Sequence, residues 1–415
     1  MANKLLTVLC FFIAVSLSAQ VNDKESFTVF ANLHDSLFTD AYHQKDTNLY
    51  HRLLDTFTTR YHKQDSITQK ENSYHLSNAL YNLGCVYSLL NRQQQALIYL
   101  DKAIRAGYYN YANIIADSDL NNIRHLDKFT QLITPLRSVG DYPYILRNAA
   151  RYNTADTRPL PAFTYQSGDD SNLVALRKAF NLDSIAGQGD DVSRILSLMH
   201  WLHNLVPHDG QLENPAVKNA LSMINVCKKD NRGLNCRGLA TTLNECYLAL
   251  GFKSKFVTCL PKDSLGVDND CHVINAVYTP SLKKWLWIDP TFDTYVMNET
   301  GTLLSIEEVR RSVIDNSPLI ISPDANWNHK QSQTKDDYLF NYMAKNLYRL
   351  EVPVQSTYNL ETSASGKNIE YIQLLPLDYF KQPTKTNRTN QYSKTSYTYY
   401  YTNNPAYFWQ LPEKN

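Results

Sequence analysis

Gly233-Leu234-Asn235-Cys236-Arg237-Gly238-Leu239-Ala240 marks a change of texture in this chain. From Cys236 onward, Leu239, Ala240, Leu243, Cys246, Tyr247 and Leu250 recur at three- and four-residue spacing. Gly251 then stands where a helix C-terminal glycine belongs, so a helix is expected to open at Cys236. At a helix N-terminus the unpaired backbone N–H groups and the positive end of the dipole favour a thiolate. Arg237 is expected to add a positive charge beside it, and the same N–H groups are able to hold an oxyanion formed after attack on a carbonyl.

Downstream of that helix, Phe252 to Leu260 alternates as a strand, and Pro261 to Asp270 is a polar loop. Two further strands are predicted, Cys271 to Tyr278 and Lys284 to Asp289, joined by Thr279-Pro280-Ser281-Leu282 with proline at a favoured turn position. A turn centred between Pro280 and Ser281 sets His272 directly opposite Asp289. Residues paired in this way project to one face about 5 Å apart, within reach of an imidazole–carboxylate hydrogen bond. That bond would fix the tautomer of His272 and stabilise the imidazolium once it has taken a proton from Cys236. Cys271, one residue away, is expected to face the other side of the strand, and Cys246 to be a buried small hydrophobe on its helix.

This order of elements resembles the transglutaminase-like superfamily, a papain-type cysteine acyl-transfer fold. The resemblance runs over about Val192 to Thr291. It is carried by residues 235–240, by Ala249-Leu250-Gly251-Phe252-Lys253-Ser254-Lys255-Phe256-Val257, by Cys271-His272-Val273 and by Trp285-Leu286-Trp287-Ile288-Asp289-Pro290-Thr291. It implies an α+β domain with a helix packed on an antiparallel sheet, Cys236 as nucleophile, His272 as general base and Asp289 as the group orienting the histidine. Two positions depart from the pattern: Lys255 stands where arginine is common, and Val273-Ile274 replaces the usual Ala-Trp. The second departure bears on the shape of the cleft.

A competing cluster is His200, His203 and His208, the first two at i and i+3 on a helix predicted over Val192 to Leu205. Only Asp209 stands nearby as a carboxylate, and no glutamate lies between the histidines to serve as base, so no metal site and no cofactor are expected. The seven cysteines include no CxxC pair that would point to zinc.

Working outward, the first residues combine Lys4, an apolar run from Leu5 to Leu17 and the small residues Ser16, Ser18 and Ala19, the pattern of a secretory signal peptide over residues 1–19. The run is too short to span a bilayer, so the mature chain is expected to be secreted or periplasmic with no membrane span. Six cysteines remain after cleavage, and reserving Cys236 as a thiol leaves an odd five, so at least one more should stay reduced. Residues 20–137 are helical in texture. Leu80, Leu83, Gly84, Tyr87, Ala96, Leu100 and Ala103 fall at tetratricopeptide-like spacing, with flanking helices at about Ser26 to Tyr61 and Tyr111 to Leu136 expected to complete the stack.

Prolines and glycines from Val139 to Ser171, with a short strand at Ala162 to Gln166, lead into the catalytic domain, placed at 138–325. A tyrosine-rich extension follows over 326–415, with strands expected near Tyr371 to Leu375 and Tyr397 to Tyr401. A net charge of +1 and the lack of a long basic run exclude nucleic acid as a partner, and a mean hydropathy of −0.42 excludes a multi-span membrane protein.

The resemblance implies that Cys236 attacks a carboxamide or peptide carbonyl through a thioester. Water as acceptor makes a peptidase or amidase, the expected outcome because no device for excluding water is legible; a lysine amine as acceptor makes a cross-linking transglutaminase. Partners are accordingly a peptide or protein substrate, with a protein partner on the helical region as a further expectation. The reading from a different class is a non-catalytic adaptor that uses the helical repeat region for binding.

Overall fold

Lys45, at φ 53°, divides the helical stretch expected over Ser26 to Tyr61, because a left-handed backbone cannot continue a right-handed helix. The computed structural model describes residues 27–149, 151–263 and 270–412. The signal peptide expected over 1–19 lies outside them. The chain divides into two compact units that meet in sequence at Asp141 and Tyr142.

In the first unit, helix α1 spans 27–43 and α2 spans Thr47–Tyr61, with the Asp46 side chain accepting from the N–H groups of Asn48 and Leu49 at the new start. Helices α3 (Ser73–Leu89) and α4 (Gln93–Arg105) form the hairpin whose seam the spacing predicts. A Cβ on Gly84 would come within 3.3 Å of the Leu100 backbone nitrogen, so this close crossing favours glycine. The flanking helical stretch expected from Tyr111 to Leu136 is several short helices, interrupted where Asp117 and Leu126 adopt extended backbone.

The second unit is built on a seven-stranded sheet: β1 (Ser254–Leu260), β2 (His272–Thr279), β3 (Lys284–Ile288), β4 (Arg349–Pro353), β5 (Asn368–Leu374), β6 (Lys385–Thr389) and β7 (Ser396–Thr402). Across the sheet the order is β6-β7-β5-β4-β1-β2-β3, antiparallel except for β5 and β7. The boundary expected at 325/326 therefore does not separate a C-terminal extension. Strand β1 would otherwise present an unpaired edge of N–H and C=O groups, and β4 covers it by pairing Thr258 with Glu351.

Helices cover both faces, which is why the core strands are buried throughout rather than alternating. On one face lie α5 (Ser171–Ala179), α6 (Asp191–Leu205), α7 (Ala220–Asp230) and α8 (Cys236–Ala249), packed with Val277, Leu286 and Ile288. Opposite them Ile274, Ala276, Trp285 and Trp287 pack with α9 (Ile306–Asp315) and with Tyr338, Leu339 and Met343 of a π-helix over Asp336–Met343. Among the described residues no helix is long and apolar enough to cross a membrane.

Candidate active site

Cys236 is the first residue of α8, and Asn235 is its N-cap, accepting from the Gly238 N–H at 3.1 Å. Asn235 is itself held by Asn214, which donates to its side-chain oxygen at 2.7 Å and accepts from its backbone N–H at 3.1 Å. Gly238 makes room for this clasp, since a Cβ there would lie 2.5 Å from Asn214 Oδ1. Leu239 N–H donates to the Asn235 carbonyl. In the first turn this leaves the N–H groups of Cys236 and Arg237 without an acceptor among the described residues, ready for an anion.

His272 and Asp289 meet, though not through the expected register. The turn is centred one residue later, Thr279 pairing with Lys284 and Asn275 with Ile288, with Lys283 left-handed at φ 52°. Asp289 therefore sits diagonal to His272 rather than directly opposite. A shift of two positions along one strand keeps every side chain on its face, so the contact survives: Nε2 of His272 lies 2.7 Å from Asp289 Oδ2. Both groups are fully buried, at 1% and 0% exposure. Asp289 also accepts from Thr291 N–H at 2.9 Å and from the Tyr338 hydroxyl at 2.7 Å, and that hydroxyl accepts from Trp287 Nε1 at 3.0 Å. The rings of Phe292 and Tyr342 stand 5.6 and 5.3 Å from the imidazole and keep it from swinging.

Cys236 packs with Ala240, Phe256 and Val273, whereas His272 shares the opposite sheet face with Ile274, Ala276 and Trp287. They meet because each opens its element: the cysteine begins α8 and the histidine begins β2, so both lie at the rim of the sheet. The His272 imidazole stands within interaction range of the Cys236 sulfur, and each shifts the other's ionisation. With Nε2 committed to Asp289, Nδ1 is the nitrogen that faces it.

Burial by itself would raise the Cys236 thiol. Hydrogen bonds from His208 and His272, the His272 charge and the Val273 N–H outweigh that and bring it down to about 6. Burial would likewise lower His272, but the charge and hydrogen bond of Asp289, joined by those of Cys236, push it up to about 10. The two shifts together favour a thiolate and an imidazolium across neutral pH.

Arg237 contributes less than its position implies. Its guanidinium turns from the sulfur to Glu361, at 3.3 Å, and Glu351, at 3.5 Å, which neutralise it. Cys246 is fully buried, and the six cysteines at 85, 227, 236, 246, 259 and 271 are all free thiols. The three histidines weighed as a cluster part company. His200 pairs with Asp293 at 2.7 Å, and His203 bonds the Pro290 carbonyl and Asn326. His208 alone turns to Cys236.

Tyr338 is a site residue that the sequence reading passed over, and His208 entered that reading only as a candidate metal ligand. His208 lies in a loop without periodicity. Tyr338 is one of 29 tyrosines, and only the folded chain shows which of them is inside.

Residues 178–290 match the model of the transglutaminase-like superfamily. A chloroplast protein of Arabidopsis thaliana is 39% identical over 57 residues, covering 14% of this chain and 17% of that protein. A solved structure from Cytophaga hutchinsonii, described as a candidate cysteine protease, shares 17% identity with a TM-score of 0.24 over 39% of this chain and 49% of its own, too low a likeness to bear on the fold. Both matches span well under two thirds of the relative. Cys236, His272 and Asp289 all fall within the family match, and the chain thus carries a transglutaminase-like domain over residues 178–290.

Proposed function

We propose that this chain is an exported cysteine-dependent acyl-transfer enzyme that hydrolyses peptide or amide bonds through a thioester. The observation that supports the reading is the meeting of three groups from distant segments, the Cys236 sulfur, the His272 imidazole and the buried Asp289 carboxylate, at one rim of the sheet. The pair is already ionised, so the thiolate attacks the carbonyl carbon, a C–S bond forms, and the carbonyl electron pair moves to oxygen, to which the Cys236 N–H donates a hydrogen bond. His272 Nδ1–H then protonates the amide nitrogen, the C–N bond breaks and the amine leaves. In the second half His272 Nδ1 takes a proton from water, whose oxygen attacks the thioester, and the Cys236 thiolate departs from the acid product. Asp289 holds the imidazole by its Nε2–H through both halves and remains a carboxylate.

A lysine amine in place of water would complete the same cycle as a cross-link. Water is the expected acceptor, as Cys236 is partly exposed and open to it. The signal-peptide-like pattern of residues 1–19 supports the export part of this reading, and a protein partner on the helical unit belongs to the same proposal. The test is to incubate the full chain and Cys236→Ala with a cell-envelope peptide pool and a primary amine, and to analyse the products by mass spectrometry. New peptide termini that require Cys236 support hydrolysis; amine adducts alone would convert the reading to cross-linking, and neither product would leave the adaptor.

A further inference from the structure

His208 is held with unusual completeness for a loop residue. Its backbone N–H donates to Asn328 Oδ1 at 2.7 Å, and its carbonyl accepts from Asn328 Nδ2 at 2.8 Å, so one asparagine side chain clasps it as a neighbouring strand would. On its other side it forms a parallel bridge with Leu234, through Leu234 N–H to the Pro207 carbonyl and Asp209 N–H to the Leu234 carbonyl. Leu234 is two residues before Cys236, so the histidine and the cysteine are built on one frame.

The ring is equally constrained. Trp327 Nε1 lies 3.1 Å from His208 Nδ1, and an indole nitrogen has only a proton to give. Nδ1 must therefore accept, and the proton of the neutral ring sits on Nε2. That leaves Nε2–H as the proton the ring can offer toward the Cys236 sulfur, which His208 reaches from the frame it shares with Leu234. A second base at this place would be redundant, because His272 already has its own carboxylate. A neutral, fixed donor beside the nucleophile serves a different purpose: the negative charge that starts on sulfur ends on the carbonyl oxygen two bonds away.

We propose that His208 is a catalytic residue, its Nε2–H the second oxyanion donor alongside the Cys236 backbone N–H, and that Trp327 is a positioning residue that holds the required tautomer. No proton is transferred in this step; the C–S bond forms, the carbonyl π pair moves to oxygen, and two N–H groups receive it. The inference rests on the acyl-transfer reading above and adds to it the identity of the donor.

The experiment uses the full chain with 4-nitrophenyl acetate as acyl donor, following the nitrophenolate burst and the acetyl mass on Cys236. Iodoacetamide alkylation is run in parallel, since it needs the thiolate but forms no oxyanion. Each variant is compared on its own high-pH plateau, where the thiol is fully ionised. His208→Ala is expected to slow acylation about 100- to 1,000-fold while alkylation changes only a few-fold. His208→Gln, which offers an amide N–H without a tautomer, should recover most of the loss. Trp327→Phe should slow the wild type about tenfold and leave the His208→Gln background unchanged, because glutamine has no tautomer to hold.

The proposal is overturned if His208→Ala acylates as fast as wild type on the plateau. It is equally overturned if Trp327→Phe slows both backgrounds alike. A wild type that never gains acetyl on Cys236 sinks the acyl-transfer reading itself, which keeps the two failures apart.

Discussion

Replacing His272 with alanine should move the pH at which Cys236 becomes reactive from about 6 to 9 or above. The thiol is held at about 6 against a burial that pushes the other way, and His272 supplies both a hydrogen bond and a charge to that balance. In wild type roughly nine-tenths of the cysteine is thiolate at pH 7. A thiol at its ordinary 9.0 is about one-hundredth thiolate there, and burial alone would carry it higher still. The rate at one pH is a poor readout, because a more basic thiolate is intrinsically more nucleophilic: three units return about 15- to 30-fold of the loss, leaving a net fall of only several-fold at pH 7.

The inflection is the quantity to measure. Iodoacetamide alkylation of the full chain is followed from pH 4.5 to 11, with Cys236→Ala subtracted to remove the partly exposed Cys271 and the buried thiols. Wild type should also show acyl transfer falling above about 10, where His272 loses the proton it must donate. If His272→Ala retains an inflection within one unit of 6, the low value has another source, and the thiolate–imidazolium pair is wrong.

Three further perturbations follow from the same contacts. Tyr338→Phe removes the hydroxyl between Trp287 Nε1 and Asp289, leaving a buried indole donor unpaired; a loss of about 1–3 kcal/mol in urea unfolding is expected, and wild-type stability would argue against the bridge. Gly238→Ala drives a methyl into Asn214 and loosens the cap on α8, so it should cost about 1 kcal/mol and slow acylation of Cys236 by more than it slows alkylation of a surface thiol.

Lys255 is fully buried, its ammonium 4.2 and 4.8 Å from the rings of Phe163 and Trp285 and bonded to the Phe408 carbonyl, and burial pushes it down to about 7. Because the folded value lies below the ordinary 10.5, the unfolded chain binds the proton first: stability is full above pH 10.5 and is lost as pH falls through 7. Lys255→Met should therefore gain on wild type by a few kcal/mol between pH 10 and pH 6, and a pH-independent difference would mean the rings and carbonyl fully offset the burial.

Much of the site was legible in one dimension because its signals are local. A helix that opens on a cysteine and ends on a glycine is written in Asn235, Cys236 and Gly251. The hairpin carrying His272 and Asp289 is written in the alternation of its two strands around Pro280. The register error is instructive: the turn type is chosen by Lys283 adopting a left-handed conformation, which pattern alone does not reveal, yet the two-residue periodicity of a strand kept the pair on one face.

What only the folded chain decided comes from sequence separation. Trp327 and Tyr338 lie beyond the stretch that matches the family and reach the site because the strands after them complete the sheet over β1; nothing near either residue marks it. Arg237 shows the converse, a charge that adjacency assigns to the sulfur and that Glu351 and Glu361 take instead. Local backbone preferences are set by neighbouring residues and can be read in order along the chain, whereas the partner of a buried polar group is whichever distant atom the packing brings within about 3 Å.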